Sequence, residues 1–134
     1  MIRPSAVMKD MPAIKDMPAI KDLPAIKDLP AIDMVHLARQ TGGDADLEQE
    51  LLALFADQCV RHLATLHGGD ARLGSDAVHT LKGAARAIGA WNVADAAEKV
   101  EEALARHAVT GEIGELSRAA DEARAAIAVI CNAA

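Results

Sequence analysis

From Asp33 onward the apolar residues recur at three- and four-residue spacing, the period of helices with one buried face. Asp33 is placed to cap a short helix through Met34-Val35-His36-Leu37-Ala38-Arg39, and Thr41-Gly42-Gly43 stops it. Leu47, Leu51, Leu54, Phe55, Cys59, Leu63 and Leu66 then form a stripe of about five turns that ends at Gly68-Gly69. Ser75 is a cap candidate for a helix carrying Val78, Leu81, Ala85 and Ile88, with Gly89 at its left-handed end. Asn92, with Asp95 three residues on, is expected to open a helix with Val93, Ala97, Val100 and Leu104 on one face, broken at Thr110-Gly111. The last stripe is Ile113, Leu116, Ala120, Ala123, Ile127 and Ile130. Four amphipathic helices joined by short links must reverse direction each time. The expected fold is all-α, an antiparallel up-down-up-down four-helix bundle with a short N-terminal capping helix.

Before residue 30 the pattern changes. Pro-Ala-Ile-Lys-Asp-Met/Leu recurs at Pro12, Pro18 and Pro24, and a copy starting at Pro30 is cut short as Pro30-Ala31-Ile32-Asp33. A proline every six residues forbids a continuous helix, and neither face of an extended chain is apolar enough to bury. Residues 1–29 are therefore expected to be an extended or disordered tail, and residues 30–134 the bundle. Repeated copies of Pro-Ala-Ile suit a multivalent docking tail, but nothing in them names a ligand, so a passive tandem expansion is the simpler reading.

Composition agrees with helices: half of the chain is apolar, mostly Ala, Leu, Ile and Val, with one Trp, one Phe and no Tyr. The net charge of −6 falls entirely on residues 34 to 134, because the first 33 residues balance. No basic stripe points to nucleic acid. No apolar run is long enough to span a bilayer and no secretory signal opens the chain, so a cytoplasmic location is expected. Cys59 and Cys131 lack metal spacing and are read as small buried hydrophobes.

The chemistry gathers in His79-Thr80-Leu81-Lys82-Gly83-Ala84-Ala85-Arg86-Ala87-Ile88-Gly89. On a helix, His79, Lys82, Gly83 and Arg86 share one side and face outward, while Val78, Leu81, Ala85 and Ile88 turn inward. Imidazole is a good nucleophile toward phosphorus near neutral pH, and the phosphorylated ring then carries a dianion that needs cations nearby. Lys82 and Arg86 supply two positive charges at successive turns. Gly83 weakens the helix by about 1 kcal/mol relative to Ala, and its missing side chain lets another protein's backbone approach the ring.

This stretch resembles the signature of histidine-containing phosphotransfer (HPt) domains: His, any residue, an aliphatic, Lys, Gly, five residues, Gly. His79, Leu81, Lys82, Gly83 and Gly89 fill it. Upstream, Ile32-Asp33, Leu37 and Thr41-Gly42-Gly43-Asp44 look like the usual entry into that domain; downstream, Ala94, Ala97 and Val100-Glu101 are similar to its following helix. The resemblance implies a phosphorelay intermediate in which His79 accepts a phosphoryl group from a receiver-domain aspartate and passes it to another receiver. It also implies that Glu101, 22 positions after His79, neighbours the imidazole and accepts a hydrogen bond from the non-reacting ring N–H.

The expected partners are response-regulator receivers and a hybrid histidine kinase. Mg²⁺ would come with the receiver, and no cofactor is intrinsic to this chain. The protein is expected to be a stand-alone monomeric phosphocarrier, with no Gly-rich nucleotide loop of its own. A competing reading is a docking module that binds a receiver or kinase without carrying phosphate. Asp76 with His79 hints at a bundle metal site, but no second Asp-x-x-His pair exists to complete one. Trp91 is read as a hydrophobic plug, and His36, His62, His67 and His107 receive no role.

Overall fold

The computed structural model describes residues 30–133, and the repetitive segment 1–29 lies outside the described residues. Every regular element among them is a helix: α1 (Met34–Thr41), α2 (Ala45–His67), α3 (Ala71–Ile88), α4 (Trp91–Ala105) and α5 (Glu112–Ala133). Three of the helix starts are set by aspartate. The carboxylates of Asp33, Asp44 and Asp70 accept the backbone N–H groups of His36, Leu47 and Leu73, which would otherwise be unpaired in the first turn. Asp70, not Ser75, therefore starts α3, and Ser75 lies inside the helix. A cap needs a non-helical residue with a free side-chain acceptor, and the chain leaving Gly69 provides one earlier than the apolar stripe indicates.

Helix α2 packs on α3, α3 on α4, α4 on α5, and α5 back on α2, while α1 lies against α2 and α3. The core is built around Leu37, Leu52, Phe55, Val78, Leu81, Val93, Val100 and Leu116, all fully buried. Between these larger groups sit buried alanines, including Ala85 on α3, Ala94 and Ala97 on α4, and Ala120 and Ala123 on α5. Their small volume lets the helix backbones come close. On α2 the buried positions are Leu52, Phe55, Cys59 and Leu66, whereas Leu54 is half exposed and Leu47 somewhat less so. The doublets Leu51-Leu52 and Leu54-Phe55 fit two adjacent stripes equally well, and packing on α3 and α5 selects one.

The link between α3 and α4 is only Gly89-Ala90. Gly89 takes a left-handed conformation (φ 85°), and the N–H groups of Gly89 and Ala90 both return to the Ala85 carbonyl. Helix α4 thus begins at Trp91 with no side-chain cap, and Asn92, expected to open the helix, sits in its first turn with a buried, unpartnered Oδ1. The same turn receives the start of the described chain: the Asp33 N–H donates to the Gly89 carbonyl at 2.9 Å. Trp91 Nε1 donates to the Asp33 carboxylate at 2.9 Å, and the indole packs edge-on to His36. Burial raises the Asp33 pKa, but the bonds from Trp91 and the His36 backbone outweigh it and hold the carboxylate below its usual range. Trp91 is therefore a tether with an exposed edge more than a plug.

Helix α4 ends earlier than Thr110-Gly111. His107 adopts a left-handed φ of 52°, and the Ala108 N–H reaches back to the Ala103 carbonyl. No helix among the described residues is long and apolar enough to cross a membrane.

Two substitutions are expected to move stability in opposite directions. Gly89→Ala puts a Cβ 2.9 Å from the Asp33 carbonyl oxygen at a positive φ, so it should destabilise by more than about 1 kcal/mol. His107→Gly relieves a left-handed side chain and should stabilise by up to about 1 kcal/mol. Urea denaturation of both variants against the parent checks them.

Candidate functional site

Because Val78, Leu81, Ala85 and Ile88 are buried, α3 turns His79, Lys82, Gly83 and Arg86 toward its other flank. The His79 side chain is 73% exposed. Its Nδ1 lies 2.8 Å from Oε2 of Glu101 on α4, so Glu101 sits where the HPt resemblance places it. The other carboxylate oxygen of Glu101 binds the Lys82 ammonium. One carboxylate thus joins two side chains that are one helical turn apart on α3.

Lys82, on the outward flank with His79, is nevertheless largely covered. Its side chain is only 16% exposed, because it lies along the α3–α4 contact with its ammonium on Glu101. Arg86 is also engaged: its guanidinium donates to Glu98 at 3.1 Å, with both groups about half exposed. Lys82 meets Glu101 and Arg86 meets Glu98, so residue numbers rise along α3 as they fall along α4. The two cations that the spacing puts beside the histidine are each matched by a carboxylate of the neighbouring helix. The pairing of Glu98 with Arg86 depends on helix register, which no local motif encodes.

Partial burial works to raise the Glu101 pKa. Hydrogen bonds from Lys82 and His79, with their charges, outweigh it and hold Glu101 below the usual 4.5. At neutral pH Glu101 is therefore an acceptor only. The proton between it and His79 therefore belongs on Nδ1, so that in the neutral form of the ring the lone pair is on Nε2.

A Cβ built on Gly83 meets nothing within 4 Å. No atom of the described chain needs that glycine, so its cost to the helix has no internal compensation. Elsewhere, competing chemistry is subdued. Burial pushes the Cys59 thiol up to about 12, with a lowering by Arg124 and a raising by Asp121 as smaller influences, so it stays protonated. No group of three or more His, Cys, Asp or Glu residues among the described residues is arranged to hold a metal ion, and Asp76 does not join one with His79.

The model of the Hpt domain family matches residues 50–132, which span α3, α4, nearly all of α5 and most of α2. This chain belongs to the Hpt domain family, and membership makes it a phosphotransfer module of a phosphorelay. Domains of this family interact with receiver domains and kinases. Comparison with curated proteins and with solved structures finds no match.

Gly83→Ala is expected to raise stability by up to about 1 kcal/mol, measured by thermal denaturation, since the added methyl enters open space. The Glu101 contact has a definite pH sign. Its folded pKa lies below the unfolded value, so its contribution is complete above about 4.5 and is lost as pH falls through the lowered folded value. The stability gap between the parent and Glu101→Gln should therefore narrow in denaturation curves taken at progressively more acidic pH.

Proposed function

We propose that His79 is the phosphoryl acceptor of this module, taking the group on Nε2 from a receiver aspartate and surrendering it to another receiver. The observation that carries this reading is the exposed ring whose Nδ1 is held by Glu101, which leaves Nε2 as the free nucleophile. In phosphoryl transfer most of the work is positioning and charge neutralisation, and both are present in this arrangement. Lys82 is placed one turn from the ring, where its ammonium can be shared between Glu101 and an arriving phosphoryl oxygen. Gly83 leaves the space through which the receiver's backbone reaches the imidazole. Arg86 is assigned to the receiver's acidic pocket, for which it must leave or share Glu98.

We assign Mg²⁺ to the receiver's side of the complex. The up-down-up-down bundle, with α1 as a cap over α2 and α3, is the arrangement that the helix contacts and short links support. We keep residues 30–134 as the phosphotransfer unit, with the segment 1–29 separate from it, and we place the protein in the cytoplasm as a monomer working with receivers and a hybrid histidine kinase. A docking module that carries no phosphate would use the same bundle, and it would need neither an exposed nucleophile nor a residue that orients it.

Incubation with a phosphorylated receiver separates the two. His79→Gln is expected to abolish acid-labile label while leaving helicity intact by circular dichroism; label surviving in that variant would assign the phosphate elsewhere. Lys82→Ala should slow transfer by about tenfold. Because Lys82 is largely covered and bonded to Glu101, that variant should also lose about 1 to 3 kcal/mol of stability.

A further inference from the structure

Glu101 does more to His79 than choose a tautomer, because it is a full negative charge with nowhere else to turn. Its carboxylate is 22% exposed and is fixed between the His79 ring and the Lys82 ammonium. After Nε2 bonds to phosphorus, a neutral ring would have a lone pair on Nδ1 aimed at Oε2 from 2.8 Å, a repulsive contact. A ring that retains the Nδ1 proton keeps the hydrogen bond and sets a positive imidazolium against a carboxylate.

We propose, resting on the assignment of His79 as the phosphoryl acceptor, that Glu101 holds the Nδ1 proton through the whole cycle, so that His79 carries phosphate as a ring-protonated imidazolium. In the accepting step the Nε2 lone pair forms the N–P bond while the bond from phosphorus to the aspartyl oxygen breaks, and that electron pair leaves with the aspartate carboxylate. The ring gains one positive charge and no proton moves. In the donating step a receiver carboxylate oxygen forms the new bond to phosphorus, the N–P bond breaks, and its electron pair returns to Nε2. The ring is neutral again, still bearing the Nδ1 proton. A ring protonated on Nδ1 departs as neutral imidazole, a far better leaving group than the imidazolate that an unprotonated ring would have to become, so Glu101 is a positioning residue that keeps the phosphoryl group transferable.

The remaining charged groups do not reverse this. On α3, Asp76 is one turn before His79 and Lys82 one turn after it, and Lys82 spends its charge on Glu101 and so tempers the effect. On α4, Glu98 is occupied by Arg86, and the exposed Glu102 adds negative charge. On α2, Asp57 and Arg61 neutralise each other within the helix. Helix α1 meets the far end of α3 at Gly89, about 15 Å along the axis from His79 at 1.5 Å per residue.

The test uses the full chain labelled with ¹⁵N-histidine and phosphorylated by phosphoramidate, a small-molecule donor that needs no receiver. The ring of phosphorylated His79 is titrated by ¹⁵N and ³¹P NMR in the parent, in Glu101→Gln, which keeps a hydrogen-bond acceptor but not the charge, and in a phosphorylated peptide of residues 75–86. The parent ring is expected to keep its proton to a pH roughly one unit or more above both references. Above the references' titration its phosphate should also hydrolyse several-fold faster than in Glu101→Gln. The peptide keeps the comparison valid if the variant does not fold. Coincident titration of the parent with the peptide or with a folded Glu101→Gln overturns the inference even if the protein relays phosphate between receivers. Separation supports it even if no receiver takes the label, a result that would count against the relay assignment alone.

Discussion

The two-residue reversal at Gly89-Ala90 fixes how α3 and α4 slide against each other, and the pairing of His79 and Lys82 with Glu101 and of Arg86 with Glu98 follows from that register. Each of these contacts joins residues 12 to 22 positions apart, so a slip of one residue would swing every acidic group about 100° around α4 and away from its partner. Several interactions converge to prevent the slip. The Ala85 carbonyl accepts two N–H groups, the Gly89 carbonyl accepts Asp33, and Asp33 holds the Trp91 indole. The buried alanines of α3 and α4 keep the helices close enough for side chains to bridge them.

That closeness gives the site a charge pattern different from a basic patch. Lys82 and Arg86 are balanced by Glu101 and Glu98, so these four side chains leave no excess of positive charge beside His79 before a partner arrives. A phosphoryl group or an acidic pocket must therefore compete with existing carboxylates for these cations. The ion pairs keep the cations positioned, and their partial exposure on the Arg86 side leaves that pair the easier to exchange.

What the sequence revealed divides along locality. His79, Lys82, Gly83 and Arg86 were legible as one flank of a helix because their spacing is a property of three turns of a single element. The stop at Gly89 and the Asp33 cap were legible for the same reason. The face of α2 was not: Leu51-Leu52 and Leu54-Phe55 offer two stripes, and only packing on α3 and α5 buries Leu52 and leaves Leu54 out. Ser75 and Asn92 were drawn as caps from residue type, yet Asp70 had already started one helix and the tight turn at Gly89 started the other. Glu101 was placed by resemblance to a family, whereas the match of Arg86 to Glu98 and the tie of Trp91 to Asp33, 58 positions apart, required the assembled bundle.

The bond from Asp33 to Gly89 has a geometric corollary for the repeat that precedes it. The chain enters the bundle at the C-terminal end of α3, ten residues from His79, which is about 15 Å along the helix axis. The last, truncated copy of the repeat, Pro30-Ala31-Ile32-Asp33, is thereby a working part of the bundle, with Ile32 buried in the core and Asp33 fastened to the turn that sets the spacing of the two site helices.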